Sequence, residues 1–214
     1  METIKLLDTL PSVFEKRDDL TSEVWHHNVL IQRSQHVLIE ANSGAGKSSL
    51  LSYIIGYRQD YFGRILFDDR DIRSLHVSDW VQVRQHNLSL LFQDLRLFPE
   101  LTALENVEIK NNLTGFKPRK QIVEWFDALG IGDKLDAKVA HMSFGQQQRV
   151  AMIRALVQPF DFLLLDEPIS HLDEMNSHVM CDIMLQEVHS QGAGVIVTSI
   201  GKHMTLPYDK TYSL

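Results

Sequence analysis

The chain has 214 residues, 44% of them hydrophobic, which suffices to bury a full core as one domain with room for an inserted subdomain. Its formal net charge of −7 argues against a general affinity for nucleic acid. The single cysteine, Cys181, cannot close an internal disulfide; it is expected as a buried free thiol in a helix, and nothing implies an oxidising compartment.

The first stretch, METIKLLDTLPSVFEKRDD, lacks the basic start and long apolar run of a secretory signal. No segment approaches the ~20 apolar residues of a membrane helix. A soluble or peripheral protein without direct membrane insertion is therefore expected, with any membrane work left to a partner. Internal repeats and low-complexity tracts are absent, which excludes two copies of one unit in tandem. Residues 1 to 40 carry extended segments at Ile4–Leu6, Val24–Ile31 and Val37–Ile39, predicting an antiparallel edge that leads into a buried strand. Phe14 reads either as an aromatic stacking on an adenine face or as a core phenylalanine.

The chain is organised around residues 36 to 50, HVLIEANSGAGKSSL. An apolar strand ends in a turn of small residues, and Lys47, Ser48 and Ser49 open a helix. A loop that wraps a polyphosphate needs backbone N–H groups close to its oxygens, and Gly44, Ala45 and Gly46 leave room for that approach. Together with Asn42 and Ser43 they form a candidate nucleotide cradle, with the positive end of the helix aimed at the same oxygens. Lys47 would bridge the β- and γ-phosphates and Ser48 would ligate Mg²⁺. Ala41 stands where the pattern G-x-x-x-x-G-K-S/T begins with glycine. The alternative is a plain strand-to-helix turn with a solvent lysine.

After the helix over Ser48–Gly56 come a strand at Ile65–Phe67, a short helix at Val77–Val83 and a strand at Leu88–Phe92 that runs into Gln93. A glutamine at such a strand end can order water and ligate Mg²⁺ through its amide oxygen, or it can be an ordinary loop residue. The pattern then turns helical over Leu101–Val107, Arg119–Leu129 and Phe144–Val157. The cluster Lys117, Pro118, Arg119 and Lys120 reads as a solvated face. Phe162–Leu165 is a buried strand carrying Asp166 and Glu167 at its carboxyl end, where open α/β sheets place active sites. Asp166 would hold Mg²⁺ through water and Glu167 would polarise an attacking water. A helix (Asn176–Ser190), a strand (Val195–Thr198) and a terminal segment ending in Tyr212, Ser213 and Leu214 complete a strand–helix alternation around a parallel sheet.

The stretch HMSFGQQQRVAMIRAL adds a second anion site or an ordinary capped core helix. Ser143 and Gln146 have capping-box spacing, and Val150, Ile153, Leu156 and Val157 supply an apolar face behind them. The helix N-terminus, the Ser143 hydroxyl and the side-chain-free Gly145 would together favour an anion.

These motifs in this order, the phosphate loop, Gln93 with DLRLFPELTALENV, MSFGQQQRVAMIRAL, FLLLDEP and SHLD, resemble the nucleotide-binding subunit of ATP-binding cassette (ABC) transporters from about Phe14 to the C-terminus. The resemblance implies a single α/β domain: a RecA-like P-loop NTPase core (residues 1–93 and 159–214) with an antiparallel β edge, and an inserted α-helical subdomain over about 94–158. It implies ATP and Mg²⁺ as cofactors, the latter held by Ser48, Gln93 and Asp166, and Glu167 as catalytic base. It also implies an ATP-dependent homodimer closing head-to-tail, in which Ser143 and Gly145 of one copy, with Gln146 beside them, reach the γ-phosphate held by Lys47 of the other. Phe14 becomes the adenine-stacking residue, and Ser170 to Asp173 the loop that crosses the dimer. The segment with Leu97, Phe98, Pro99 and Glu100 would receive the coupling helix of a separate transmembrane permease subunit. A cytoplasmic position, peripheral at the inner face of the membrane, follows through that partner. The wording of the segment is similar to cassettes of lipoprotein-release, macrolide-exporter and cell-division complexes.

Besides Ala41, two positions depart from that family. Phe144 replaces the first glycine of S-G-G-Q, and Ser199 stands where a histidine usually contacts the γ-phosphate. A serine cannot carry positive charge, so slow hydrolysis is expected, with His203 and His171 as substitutes or as surface residues. A slow nucleotide switch signalling through a membrane scaffold is the rival to transport. A DNA-maintenance ATPase would need a coiled-coil insertion that is absent, and a small-molecule kinase would leave residues 143–146, 166–167 and 170–173 unexplained.

Overall fold

In the computed structural model, which describes residues 1–17 and 20–214, strand β1 (Thr3–Pro11) forms the centre of an antiparallel edge. It pairs with β2 (Asn28–Gln32) on one side and β4 (Tyr61–Phe67) on the other, and β5 (Arg70–Asp71) completes the order β2-β1-β4-β5. Side chains alternate across a strand, so Ile4 and Leu6 share one face, opposite Ile31 and Val29 in β2 and Phe67 and Ile65 in β4. All six are buried. A bulge between Leu7 and Leu10 brings the Asp8 carbonyl within 2.1 Å of where a β-carbon on Gly63 would lie, so only glycine fits there.

The extended segment expected over Val24–Ile31 is shorter. Val24 and Trp25 lie in a turn, their N–H groups donating to the Ser22 hydroxyl at 3.0 and 2.8 Å, and pairing begins only at Asn28. Both are buried without being strand residues, because the turn feeds them inward.

The second sheet is parallel and holds the site. Its strands are β3 (His36–Glu40), β6 (Leu88–Leu91), β7 (Phe162–Asp166), β8 (Gly194–Ser199) and β9 (Lys210–Ser213), in the order β6-β7-β8-β3-β9. Strands covered on both faces read as continuous apolar runs, as in β7 and β8. Leu163, Leu165, Val195 and Val197 face one core, shared with Val107, Phe126, Val150 and Leu156. Leu164, Ile196, Val37 and Ile39 face the other, shared with the antiparallel edge and Leu50 and Ile54.

The helices follow the predicted order: α1 (Lys47–Ile54), α2 (Val77–Gln82), α3 (Ala103–Asn111), α4 (Arg119–Ala128), α5 (Phe144–Leu156) and α6 (Glu174–Gln191). Helices α3 to α5 lie between β6 and β7 in the chain. The α3 helix starts later than Leu101 because Thr102 and Glu105 form a reciprocal capping box, at 3.1 and 2.7 Å, and it runs on to Asn111. The basic cluster is not wholly a solvated face: Lys117 makes a buried ion pair with Glu187 at 2.7 Å, while Arg119 pairs with Glu108. Cys181 is a buried free thiol on α6, pushed up to about 11 by burial.

Lys110, in the last turn of α3, is held down from 10.5 to about 8, first by burial and then by Arg154. The unfolded chain binds more protons between those two values, so stability rises with pH through that window. Lys110→Met is therefore expected to stabilise the fold by about 1–2 kcal/mol at pH 7, discounted for partial exposure, and by progressively less as pH rises from 8 to 10.5. Urea midpoints at pH 7 and pH 10 check this.

Candidate functional site

Strand β3 stops at Glu40 and α1 begins at Lys47, so residues 41 to 46 form the loop between them. Its last residue, Gly46, takes φ 101°, and a β-carbon there would come within 3.0 Å of the Trp25 ring and 3.2 Å of the Phe14 ring. The Trp25 indole N–H donates to the Ala45 carbonyl at 3.1 Å. The loop thus rests on an aromatic shelf. Trp25 falls inside the Val24–Ile31 stretch that reads as extended, and nothing in that pattern marks it for this role. Ala41 is not among the residues with positive φ, and its N–H donates to the Ser199 carbonyl at 3.2 Å, so its β-carbon costs no strain.

Lys47 is buried, and its ammonium donates to the carbonyls of Ala41 and Asn42, both at 2.9 Å. Burial lowers its pKa from the ordinary lysine range, and the carboxylates of Glu167 and Asp166 oppose that shift. Glu167 Oε1 lies 3.9 Å from Nζ. The register of β7 with β8 sets Asp166 opposite Thr198, whose hydroxyl donates to Asp166 Oδ1 at 2.6 Å. Glu167 then turns out of the strand with φ 49°, a left-handed conformation that is strained for a glutamate. Neighbours hold it there. Its N–H donates to the Thr198 carbonyl at 3.1 Å, and the Gln93 amide donates to its Oε2 at 3.3 Å. Buried Gln148 of α5 donates to the following carbonyl, that of Pro168, at 2.6 Å.

Of these groups Lys47, Glu167, Gln93, Gly46 and Phe14 line one cleft of about 360 Å³, together with Ser43, Gly44, Ser48 and Ser49, while Asp166 is not among its lining residues. Phe14 is 8% exposed and offers little free face, whereas its neighbour Val13 is 72% exposed and lines the same cleft. Asn42 and Ala45 take part through their backbone carbonyls.

The turn after β8 differs from its sequence reading. Ser199 is 1% exposed and its hydroxyl donates to the Lys202 carbonyl at 2.6 Å, so it stabilises the turn. Ile200 lines the cleft instead. His203 lies 3.4 Å from Glu40 and its ring meets Tyr208 edge-on. His171 is hydrogen-bonded to the Ser170 hydroxyl at 2.8 Å, with the half-exposed Phe144 ring packed on it at 4.3 Å.

At the start of α5, Gln146 N–H donates to the Ser143 hydroxyl at 3.3 Å and Ser143 N–H to the Gln146 side chain at 2.9 Å. Gly145 is less open than its sequence suggests: a β-carbon would sit 3.2 Å from the His171 carbonyl. Asp173 caps α6, its carboxyl held below the usual range first by the Asn176 backbone N–H and then by the Asn176 side chain. Ser143, Gly145, Gln146 and Asp173 do not line the cleft of their own chain.

Ser48 and Gln93 line the cleft, and Asp166 is near enough for its charge to act on Lys47, so a hydroxyl, an amide and a carboxylate are available as oxygen donors beside Glu167. Among the described residues no group of three or more His, Cys, Asp or Glu side chains forms a metal cage. That set fits Mg²⁺, a hard cation that keeps waters and shares its shell with phosphates.

Comparison with known proteins gives this arrangement its relatives. The chain is 33% identical over 196 residues to the macrolide export ATP-binding/permease protein MacB of Brucella melitensis, covering 90% of this chain and 30% of that one. It is 35% identical over 175 residues to the lipoprotein-releasing system ATP-binding protein LolD of Saccharophagus degradans, covering 80% and 77%. With the ABC transporter ATP-binding protein YtrE of Bacillus subtilis it shares 33% over 170 residues, covering 78% and 74%. The chain thus spans less than a third of the length of the macrolide exporters it matches. The dimeric ATP-binding cassette MJ0796, solved bound to ADP and Pi, superposes with a TM-score of 0.76 at 26% identity, covering 92% of this chain and 87% of that one. The fold is that of the ABC ATPase cassette, a RecA-like P-loop core. The ABC transporter family pattern matches residues 26–170, which run from the turn beneath the phosphate loop past the strand that carries Asp166 and Glu167, and the chain belongs to that family.

Proposed function

We propose that the chain binds and hydrolyses ATP and drives a separate membrane subunit, of the export or lipoprotein-release type, by ATP-dependent head-to-tail closure of two copies. The observation that carries this reading is the cleft that joins Lys47 to Glu167 at 3.9 Å, with Gln93 on the far oxygen of the same carboxylate. Lys47 neutralises the β- and γ-phosphates, and the backbone of residues 43–46 donates to their oxygens. Glu167, fixed by Gln93 and by the Thr198 carbonyl, accepts a proton from the attacking water. Ser48, Gln93 and Asp166 would hold Mg²⁺, which would supply charge neutralisation for the phosphate oxygens. The start of α5 lies outside its own cleft, which suits delivery of Ser143 and Gly145 to the partner copy's nucleotide. The homodimer has precedent in the dimeric cassette it resembles.

Among the described residues no helix is long and apolar enough to cross a membrane, and the membrane-spanning work belongs to the permease in this reading. The passenger is selected there. The helical subdomain over about 94–158 is the part that meets it. In light scattering, Glu167→Gln is expected to dimerise on addition of ATP; a variant that remains monomeric contradicts the closure.

Turnover is slow in this reading because the turn after β8 presents Ile200 to the cleft and keeps Ser199 buried. Ile200→His, which puts an imidazole on the cleft wall, is expected to raise kcat by about tenfold, while His203→Ala leaves it unchanged. Steady-state phosphate release checks both. A nucleotide switch that signals through a membrane scaffold is the second reading, favoured by the same uncharged Ile200 on the cleft wall.

A further inference from the structure

Glu167 and Gln93 face each other in the cleft, the Gln93 amide 3.3 Å from Oε2, and each belongs to a strained stretch of backbone. Glu167 itself has φ 49°, and Leu95 and Arg96, just after Gln93, have φ 57° and 47°. None of the three is glycine, so the surrounding structure must hold these conformations. Both stretches are held from one helix. Arg154, in the last turn of α5, donates to the carbonyls of Leu95 and Arg96. Gln148, nearer the start of α5, donates to the Pro168 carbonyl at 2.6 Å and more weakly to that of Glu167 at 3.4 Å. The helix is itself seated on the strand that leads to Gln93, for the Ser89 hydroxyl of β6 donates to the Ala155 carbonyl at 2.6 Å.

Gln148 is a costly residue where it stands. It is 2% exposed, and its amide turns the nitrogen toward the two carbonyls, which its oxygen would repel. That leaves Oε1 buried with no hydrogen-bond partner among the described residues. A buried acceptor without a partner lowers stability, and an apolar side chain of the same length would avoid it. What glutamine adds here is a donor aimed at the backbone of the turn that carries Glu167.

We propose that Gln148 is a positioning residue for hydrolysis: by clamping the Glu167–Pro168 backbone to α5, it keeps the Glu167 carboxylate at the Gln93 amide and so at the attacking water. This rests on the reading of Glu167 as the base and adds to it a residue that acts from behind the site. Gln148 does not line the cleft, so its loss acts on kcat and spares nucleotide affinity.

The test compares the full chain with Gln148→Met, which keeps the length and removes the donor, and with Gln148→Glu. In steady-state phosphate release with Mg²⁺ and ATP, Gln148→Met is expected to lower kcat by about tenfold and to leave KM within about twofold. Its thermal melt should move by no more than about 3 °C, since removal of the unpaired oxygen offsets the hydrogen bond lost. Gln148→Glu is expected to be as slow at about pH 8 and to recover toward the parent near about pH 6, a gain that the parent does not show. A buried carboxyl beside two carbonyls titrates high, and its protonated form donates to Pro168 as the amide does. Hydrogen exchange at the Glu167 N–H, which donates to the Thr198 carbonyl at 3.1 Å, is read on the same samples without ATP. It is expected to quicken by about tenfold in Gln148→Met while Leu164, inside β7, stays protected. A Gln148→Met kcat within about twofold of the parent, a joint loss of kcat, KM and melting temperature, or unchanged exchange at Glu167 overturns the proposal. A parent chain that does not hydrolyse ATP contradicts the nucleotide reading, and the exchange measurement then decides on the Gln148 clamp by itself.

Discussion

In the Glu167→Gln variant, ATP hydrolysis is expected to fall by about 10²–10⁴-fold while ATP affinity stays within about threefold of the parent. Glutamine has the size of glutamate and can accept the Gln93 amide, which lies 3.3 Å from the carboxylate. The backbone strain at φ 49° is shared by both residues and held by the Thr198 carbonyl, so the substitution leaves the loop in place. What is lost is the carboxylate that takes a proton from water. The same change removes a negative charge 3.9 Å from Lys47, which lowers the Lys47 pKa further. Single-turnover phosphate release and equilibrium nucleotide binding, measured together, separate the two effects. Hydrolysis within a few-fold of the parent contradicts the assignment of the base.

Lys47→Ala has the second large effect. The ammonium is the buried cation in the wall of the cleft, and a charge-assisted hydrogen bond to phosphate contributes about 1.5–3 kcal/mol. Affinity for ATP is expected to fall by about 10–100-fold, and hydrolysis at saturating ATP by about 10³-fold, since the same charge stabilises the transferring group. Folding should survive. The substitution strips donors from two loop carbonyls but also removes a cation that burial disfavours. Isothermal titration with ATP and a thermal melt distinguish this from a folding defect.

The core of the site was legible because its physics is local in sequence. A strand, a turn of small residues and a helix-opening lysine sit within fifteen positions, and Asp166 and Glu167 end a run that is apolar because both its faces are covered. The antiparallel edge was legible in the extended segments of residues 1 to 40, whereas the order β6-β7-β8-β3-β9 of the parallel sheet rests on pairings between strands far apart in the chain. What was not legible depends on contacts across the chain. Trp25 reaches the loop from a turn about twenty residues upstream, inside what reads as a strand. Thr198 orients Asp166 only through the pairing of β7 and β8. Ser199 stands where the family resemblance implies a γ-phosphate contact, but the direction of one side chain is set by the turn, and its hydroxyl closes that turn on Lys202. Lys117 looked solvated because its partner, Glu187, is 70 residues away. The cap of α3 is different: Thr102 and Glu105 carry the capping-box spacing openly, and they correct the start of that helix from the sequence itself.

The central claim is that the catalytic unit is two copies, each contributing the start of α5 to the other's cleft. Steady-state ATP hydrolysis by the purified chain with Mg²⁺, across a wide range of protein concentration, tests it most directly. Activity that rises more steeply than linearly with protein, and disappears in Lys47→Ala and Glu167→Gln, is the predicted result. Activity strictly proportional to protein concentration, from a chain that stays monomeric with ATP, would contradict it.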